Sequence, residues 1–226
     1  MQFINFEISK EIFHEEFDKI FTNQPYTKMF HVGDAFDKKY YTRHMIECVN
    51  RINLNNELDS FAIQKCINKD NILAKEFTYY LYDEMCHDDL FLHDLKELGS
   101  NKEDVLSTPL FFSTELLMGY LNFKVMQNGA LPAVVWDWVL EYYGKMYNGL
   151  ITNKALLHLG KDRTKGAKSH LNTDEVEDHP ALMFRIVSRA IKSENDAKLC
   201  EEVIRNSIFL IGKYFEELAQ SVGLKA

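Results

Sequence analysis

The sequence predicts an all-α helical bundle. Nearly every segment longer than about ten residues repeats its apolar residues at the helical period. Hardly any segment alternates as a strand would, and helix-starting and helix-stopping residues punctuate the pattern. With 4 Pro and 10 Gly in 226 residues there is no Pro-rich or Gly/Ser-rich linker, low-complexity tract or solenoid-length repeat, so one domain over residues 1–226 is the simplest organisation.

Residues 9–23 start on a Ser cap and put Ile12, Phe13, Phe17, Ile20 and Phe21 on one side of a helix. Further helices are expected at 38–54, 58–68 and 72–98, the last ended by Gly99 in the capping position. Thr108-Pro109 opens another, with Pro at the first helical position, and it carries Phe112, Leu116, Tyr120 and Phe123 as far as Asn128-Gly129. Leu131-Pro132 then opens a helix through Trp136, Val139, Leu140 and Tyr143. A short helix at 153–160, a basic loop at 161–168, a turn or two of helix at 170–178, and helices at 180–193 and 196–221 complete the pattern.

The formal net charge of -8 repels polyanions, so nucleic acid and anionic membranes are not expected as partners. The start MQFINFEISKEIFHEEF lacks the basic beginning and apolar stretch of a secretory signal, and no run approaches the roughly 18 to 20 apolar residues of a membrane span. Cys48, Cys66, Cys86 and Cys200 are far apart without a CxxC, which suits reduced thiols in a cytoplasmic protein. GxSxG, GxxxxGK[ST] and GxGxxG are all missing, so nucleophile-elbow, P-loop and dinucleotide chemistry lack their sequence hallmarks.

Carboxylates and histidines on apolar helix faces are the chemistry-bearing feature. Tyr80, Glu84, His87, Phe91 and Leu95 form one helical stripe, three of whose members are apolar or aromatic. A carboxylate and an imidazole inside such a stripe need a partner, because an unpaired buried charge costs several kcal/mol on the order of real-protein penalties. Glu84-Met85-Cys86-His87 is a Glu-x-x-His element, the spacing that lets one helix offer an oxygen and a nitrogen to one ion. Glu141 sits among the bulky residues of WDWVLEYYG, where a simple pair with Lys145 is the competing explanation. His170, Asp174 and Glu177 share a helical face, and Pro180 frees His179 from ideal helical spacing, so that it either turns into a site or caps the next helix; a solvated acidic corner is the alternative. Oxygen and imidazole donors without thiolates suit iron or manganese. His31, His44, His93 and His158 are isolated histidines, and Lys161, Arg163, Lys165 and Lys168 form either a solvated loop or a hold for an anionic group.

The segment DEMCHDDLFLHDLKELG from Asp83, the helix from Pro132 to Glu141, and HLNTD from His170 resemble the heme-oxygenase-like diiron oxidases and oxygenases, whose fold includes the TenA thiaminases and PqqC. The resemblance spans roughly residues 30 to 220, and its most specific parts are HDDLFLHDLKELG and His-x-x-x-Asp. It implies a heme-oxygenase-like helical bundle that forms a homodimer. It further implies two Fe(II) per chain, with manganese as the other metal, and an O2-activating oxidoreductase acting on an amino acid, fatty acyl or aromatic metabolite. Carried over by position, His87, Glu141, His170 and Asp174 match the family's ligands. The family's first carboxylate lies seven residues before the helix histidine, where this chain has Tyr80, and Glu84 is placed in its stead. Its last histidine lies three residues after the Asp, where this chain has Glu177; His179 is the substitute and Glu177 its competitor. Tyr80 then becomes a hydrogen-bonding neighbour of the ligands, an electron donor or a target of self-oxidation. Two other classes stay open: a cofactorless TenA- or PqqC-like hydrolase or oxidase, with Cys86 beside His87 as the adjacent Cys/His pair, and a metal-free small-molecule binding protein.

Overall fold

A computed structural model describes residues 5–225, and the side chains of all of these except 172–177. Among the described residues the chain is helical throughout, with no strand. The helices are α1 (Phe6–Asn23), α2 (Pro25–Val32), α3 (Lys38–Cys66), α4 (Asn71–Glu84), α5 (His87–Glu97), α6 (Lys102–Ser107), α7 (Phe112–Asn128), α8 (Leu131–Tyr143), α9 (Gly149–Leu159), α10 (Lys165–Glu177), α11 (His179–Ala190) and α12 (Glu194–Ser221). A π-helical turn, Gly144–Asn148, joins α8 to α9.

α8 is the centre of the bundle. Its run LPAVVWDWV is apolar on nearly every side, as a helix surrounded by others must be, and it packs against α3, α7, α11 and α12. Around it α3 and α12, of 29 and 28 residues, form the long walls. α5 lies between α3 and α10, and α11 crosses α8 and α4. No described helix is long and apolar enough to cross a membrane.

Several boundaries differ from the sequence expectation. α1 starts at Phe6, capped by Asn5, and Ser9 is buried inside it. α3 runs unbroken through the expected gap at 55–57, because Asn55 faces inward and is held by Asp59, Asp137 and Trp136. The stretch 72–98 is two helices, broken at Met85-Cys86. α7 begins at Phe112, leaving Pro109 before it, where the Pro109 carbonyl accepts from Arg43 Nη2 at 2.9 Å. Phe112, Leu116 and Phe123 lie on its exposed side, at 63%, 45% and 53% exposure, while Leu117, Met118, Leu121 and Val125 face the core. The 161–168 segment is not a loop throughout, since α10 starts at Lys165.

Candidate metal centre

Two helix junctions with the same construction deliver two histidines. α4 ends at Glu84, Cys86 takes a left-handed conformation at φ 73°, and His87 opens α5. Asp178 takes a left-handed conformation at φ 45°, and His179 opens α11. Non-glycine residues rarely adopt this region, although Asp tolerates it better than most. Asp88 and Asp89 in the first turn of α5 favour its positive end. α8 supplies Glu141 one turn after Asp137, and α10 supplies His170.

These side chains converge. Donor atoms of Glu84, His87 and His170 lie within 4.8 Å of one another, and so do those of Glu84, Glu141 and His179. Glu84 belongs to both groups, and its two oxygens look in different directions. Oε2 is 2.9 Å from His87 Nδ1, while Oε1 is 3.5 Å from His179 Nδ1. His179 Nδ1 is also 3.6 Å from Glu141 Oε2, and the other oxygen of Glu141 accepts the Tyr80 hydroxyl hydrogen at 2.8 Å. The His87 and His170 rings are 4.8 Å apart, with Phe91 5.3 Å from His170. Side-chain exposure falls from 15% at Glu84 and 13% at His87 to 9% at Glu141 and nil at His179. Glu84 Oε1 is buried and makes no hydrogen bond among the described residues, which is the condition of an oxygen built to meet a cation. Oxygen and imidazole donors in this number fit iron or manganese, and the absence of thiolates fits as well.

Further buried carboxyls stand behind the cluster. Asp59 and Asp137 are fully buried, and both accept from Asn55 Nδ2, at 3.2 and 2.9 Å, while Trp136 Nε1 donates to Asn55 Oδ1 at 2.7 Å. Burial, joined by the nearby acids, holds both carboxyls well above the ordinary range. Tyr80 is likewise pushed well above the usual phenol range by burial and by Glu141 and Glu84, so its hydroxyl stays protonated and donates. Among the described residues no Lys or Arg comes within 4.0 Å of Glu84, Asp59 or Asp137. Lys145, the sequence-level competitor for Glu141, instead reaches Asp178 at 3.3 Å.

α10 is tied to α5 by a buried carboxylate and a glycine. Asp94 accepts the Gly166 and Ala167 backbone N–H groups, each at 2.8 Å, capping the start of α10. A Cβ on Gly166 would sit 1.8 Å from the Leu90 carbonyl oxygen, so only glycine allows this approach. The contact sets where His170 stands relative to His87.

A cavity of about 170 Å³ opens beside the cluster, lined by Tyr80, Glu84, Glu141 and His170 together with His44, Cys48 and Arg51 of α3. His44 Nδ1 is 2.5 Å from the Tyr214 hydroxyl, and its Nε2 is 3.7 Å from Cys48 Sγ. Burial and the neighbouring Arg51 push His44 down to about 3, so its ring is neutral.

Of the expected site residues, Tyr80, Glu84, His87, Glu141, His170 and His179 are brought together. The side chains of Asp174 and Glu177 lie outside the described residues. Cys86 is exposed and does not line the cavity. Lys161, Arg163, Lys165 and Lys168 are exposed and do not line it either. Sequence reasoning missed His44, Cys48, Arg51 and Asn55, whose i, i+4, i+7, i+11 spacing on α3 was the available signal.

No protein-family model and no curated protein matches the chain. Solved structures do. A domain of unknown function with a heme oxygenase-like fold from Shewanella denitrificans is similar at TM-score 0.82 and 19% identity, over 97% of this chain and 94% of that one. A TenA homolog from Pseudomonas syringae pv. tomato is similar at TM-score 0.73 and 11% identity, over 95% and 92%. A CADD-like protein of unknown function from Nostoc punctiforme is similar at TM-score 0.67 and 19% identity, over 92% and 97%. The chain therefore has the heme oxygenase-like all-α fold.

Proposed function

We propose that this chain is a non-heme diiron enzyme that activates O2 to oxidise a small organic substrate. The observation that carries this reading is Glu84, whose two oxygens face the histidines of two separate donor groups. One carboxylate so placed can bridge two ions, as in carboxylate-bridged helical bundles. His87 and His170 would complete one site with Glu84, and Glu141 and His179 the other. Asp174 would join them by position, with Glu177 the competitor of His179.

Bound iron would supply the O2 reduction. The chain's own residues do the rest. Tyr80 holds Glu141 Oε1 and keeps that oxygen from turning freely. Trp136, Met118 and Ile151 keep the cavity apolar, and Asp94 with Gly166 fixes the α10 histidine. Metal binding requires neutral imidazoles and ionised carboxylates, so it weakens as pH falls. A homodimer would give the exposed Phe112, Leu116, Phe123 and Met126 of α7 a surface to cover.

One observation favours a second reading, a cofactorless TenA-like hydrolase: Cys48 faces the cavity with His44 at 3.7 Å. Two measurements separate the readings. O2 uptake by the Fe(II)-loaded chain, abolished in Glu84→Gln and retained in Cys48→Ala, supports the diiron enzyme. Metal-independent turnover that iodoacetamide eliminates would replace it with the thiol hydrolase.

A further inference from the structure

The cavity wall contains one Lys or Arg side chain among the described residues, Arg51, in the middle of α3. A guanidinium stays charged in proteins and carries five N–H donors. Arg51 uses little of that capacity. Its Nη2 donates to Cys48 Sγ at 3.4 Å, a weak acceptor, and its plane lies over the Tyr214 ring at 4.4 Å. Glu47, one turn earlier on the same helix, is already engaged: Arg43 Nη1 donates to one oxygen at 2.6 Å and the Phe111 backbone N–H to the other at 3.1 Å. Among the described residues no carboxylate lies within 4.0 Å of Arg51, whereas Arg43, Arg189 and Arg205 each have at least one. A partly buried cation facing a cavity without an anionic partner calls for one from outside.

We infer that the substrate is a monocarboxylic acid with an apolar body, and that Arg51 binds its carboxylate while Met45, Met118, Leu140 and Ile151 enclose the rest. The planar fork of arginine matches a carboxylate with two parallel hydrogen bonds. A lone guanidinium, with no lysine beside it in the wall, balances one negative charge and so fits a carboxylate better than a phosphate dianion. The cavity shared with Glu84 and Glu141 would then hold the acid by its head and present its body to the cluster. This assignment rests on the cavity being the substrate site of the proposed enzyme, but not on iron being the metal.

Trp136 lines the cavity and reports occupancy by its fluorescence, so the test runs on the full-length chain without metal. Phenylacetate, phenylacetamide and inorganic phosphate are titrated in turn. The acid should bind about tenfold or more tightly than the amide, the margin expected for a charge-assisted pair, and phosphate should not displace it. Arg51→Gln should abolish the preference, Arg51→Lys should keep part of it, and Lys168→Ala, at an exposed residue outside the cavity wall, should leave it intact. Equal binding of acid and amide by the wild type would overturn the assignment. A preference surviving in Arg51→Gln, or lost in Lys168→Ala, would overturn it as well. Should Arg51→Gln fail to fold by circular dichroism, the wild-type comparison and Arg51→Lys still decide. An iron-free result elsewhere leaves this measurement untouched, so the two readings fail separately.

Discussion

Glu84→Gln is the substitution that should separate a shared carboxylate from an ordinary ligand. Glu84 belongs to both donor groups, so its removal leaves each with two members, His87 with His170 and Glu141 with His179. His87→Ala leaves one group whole. Saturating Fe(II) at 100 times its dissociation constant stabilises a one-site protein by about 2.7 kcal/mol, and two such ions by roughly twice that. In a chain of this length 1 kcal/mol moves Tm by about 2–4 °C, so Fe(II) should raise the wild-type Tm by roughly 10–20 °C under anaerobic conditions. His87→Ala should show about half that shift, and Glu84→Gln little of it. The metal-free variants should order the other way. Glu84→Gln removes a negative charge that acts on Asp59, Asp137 and Tyr80, so its metal-free Tm should equal or exceed the wild type's. The assay is anaerobic differential scanning fluorimetry with Fe(II) titration. A full metal-dependent shift in Glu84→Gln would refute the shared-ligand geometry, and so would a metal-free Glu84→Gln that is less stable than metal-free His87→Ala.

Acid should destabilise the metal-free chain through His31 and His44, both lowered to about 3 by burial. Their folded values lie below the unfolded one near 6.5, so below that pH the unfolded chain binds more protons and stability falls as pH falls. Each histidine contributes up to about 1.4 kcal/mol per pH unit, roughly 4 kcal/mol for the pair at pH 5. Urea unfolding of His31→Gln across pH 5–7.5 should show about half the wild-type histidine slope; an unchanged slope would mean that His31 is not buried neutral. Gly166→Ala should cost about 1–3 kcal/mol by overpacking against Leu90 and should weaken the His87–His170 group more than the other; iron stoichiometry equal to wild type would show that α10 tolerates the methyl. Tyr80→Phe removes the hydroxyl donated to Glu141 and should change the product profile of the loaded enzyme with less effect on iron content, whereas an unchanged profile would remove Tyr80 from the chemistry.

The helices were legible because burial imposes a period on apolar residues, and α8 announced itself by lacking a polar face. The junctions were less so. Nothing local separates Glu84 from His87, since the break between α4 and α5 is made by a left-handed cysteine, not by Gly or Pro. Asn55 reads as a helix breaker until Asp137 and Trp136, more than eighty residues away in the chain, supply its hydrogen bonds. On α7 Phe112, Leu116 and Phe123 share a helical spacing, yet they are exposed, and Ser113, Leu117, Leu121 and Val125 face inward. The acids and histidines of the centre could be picked out because they interrupt apolar stripes. Arg51 and Cys48 carried only the weak signal of their shared helical spacing with His44 and Asn55, because polar residues along a long helix look much the same whether they face solvent or a cavity.

Sharing of Glu84 by two metal ions is open to direct test. Its most direct measurement is iron stoichiometry after anaerobic Fe(II) loading of the wild-type chain, followed by the optical spectrum on admission of O2. Close to two irons per chain and a new O2-dependent visible absorbance are expected. A chain that binds no iron, or binds it without any response to O2, would contradict the diiron reading.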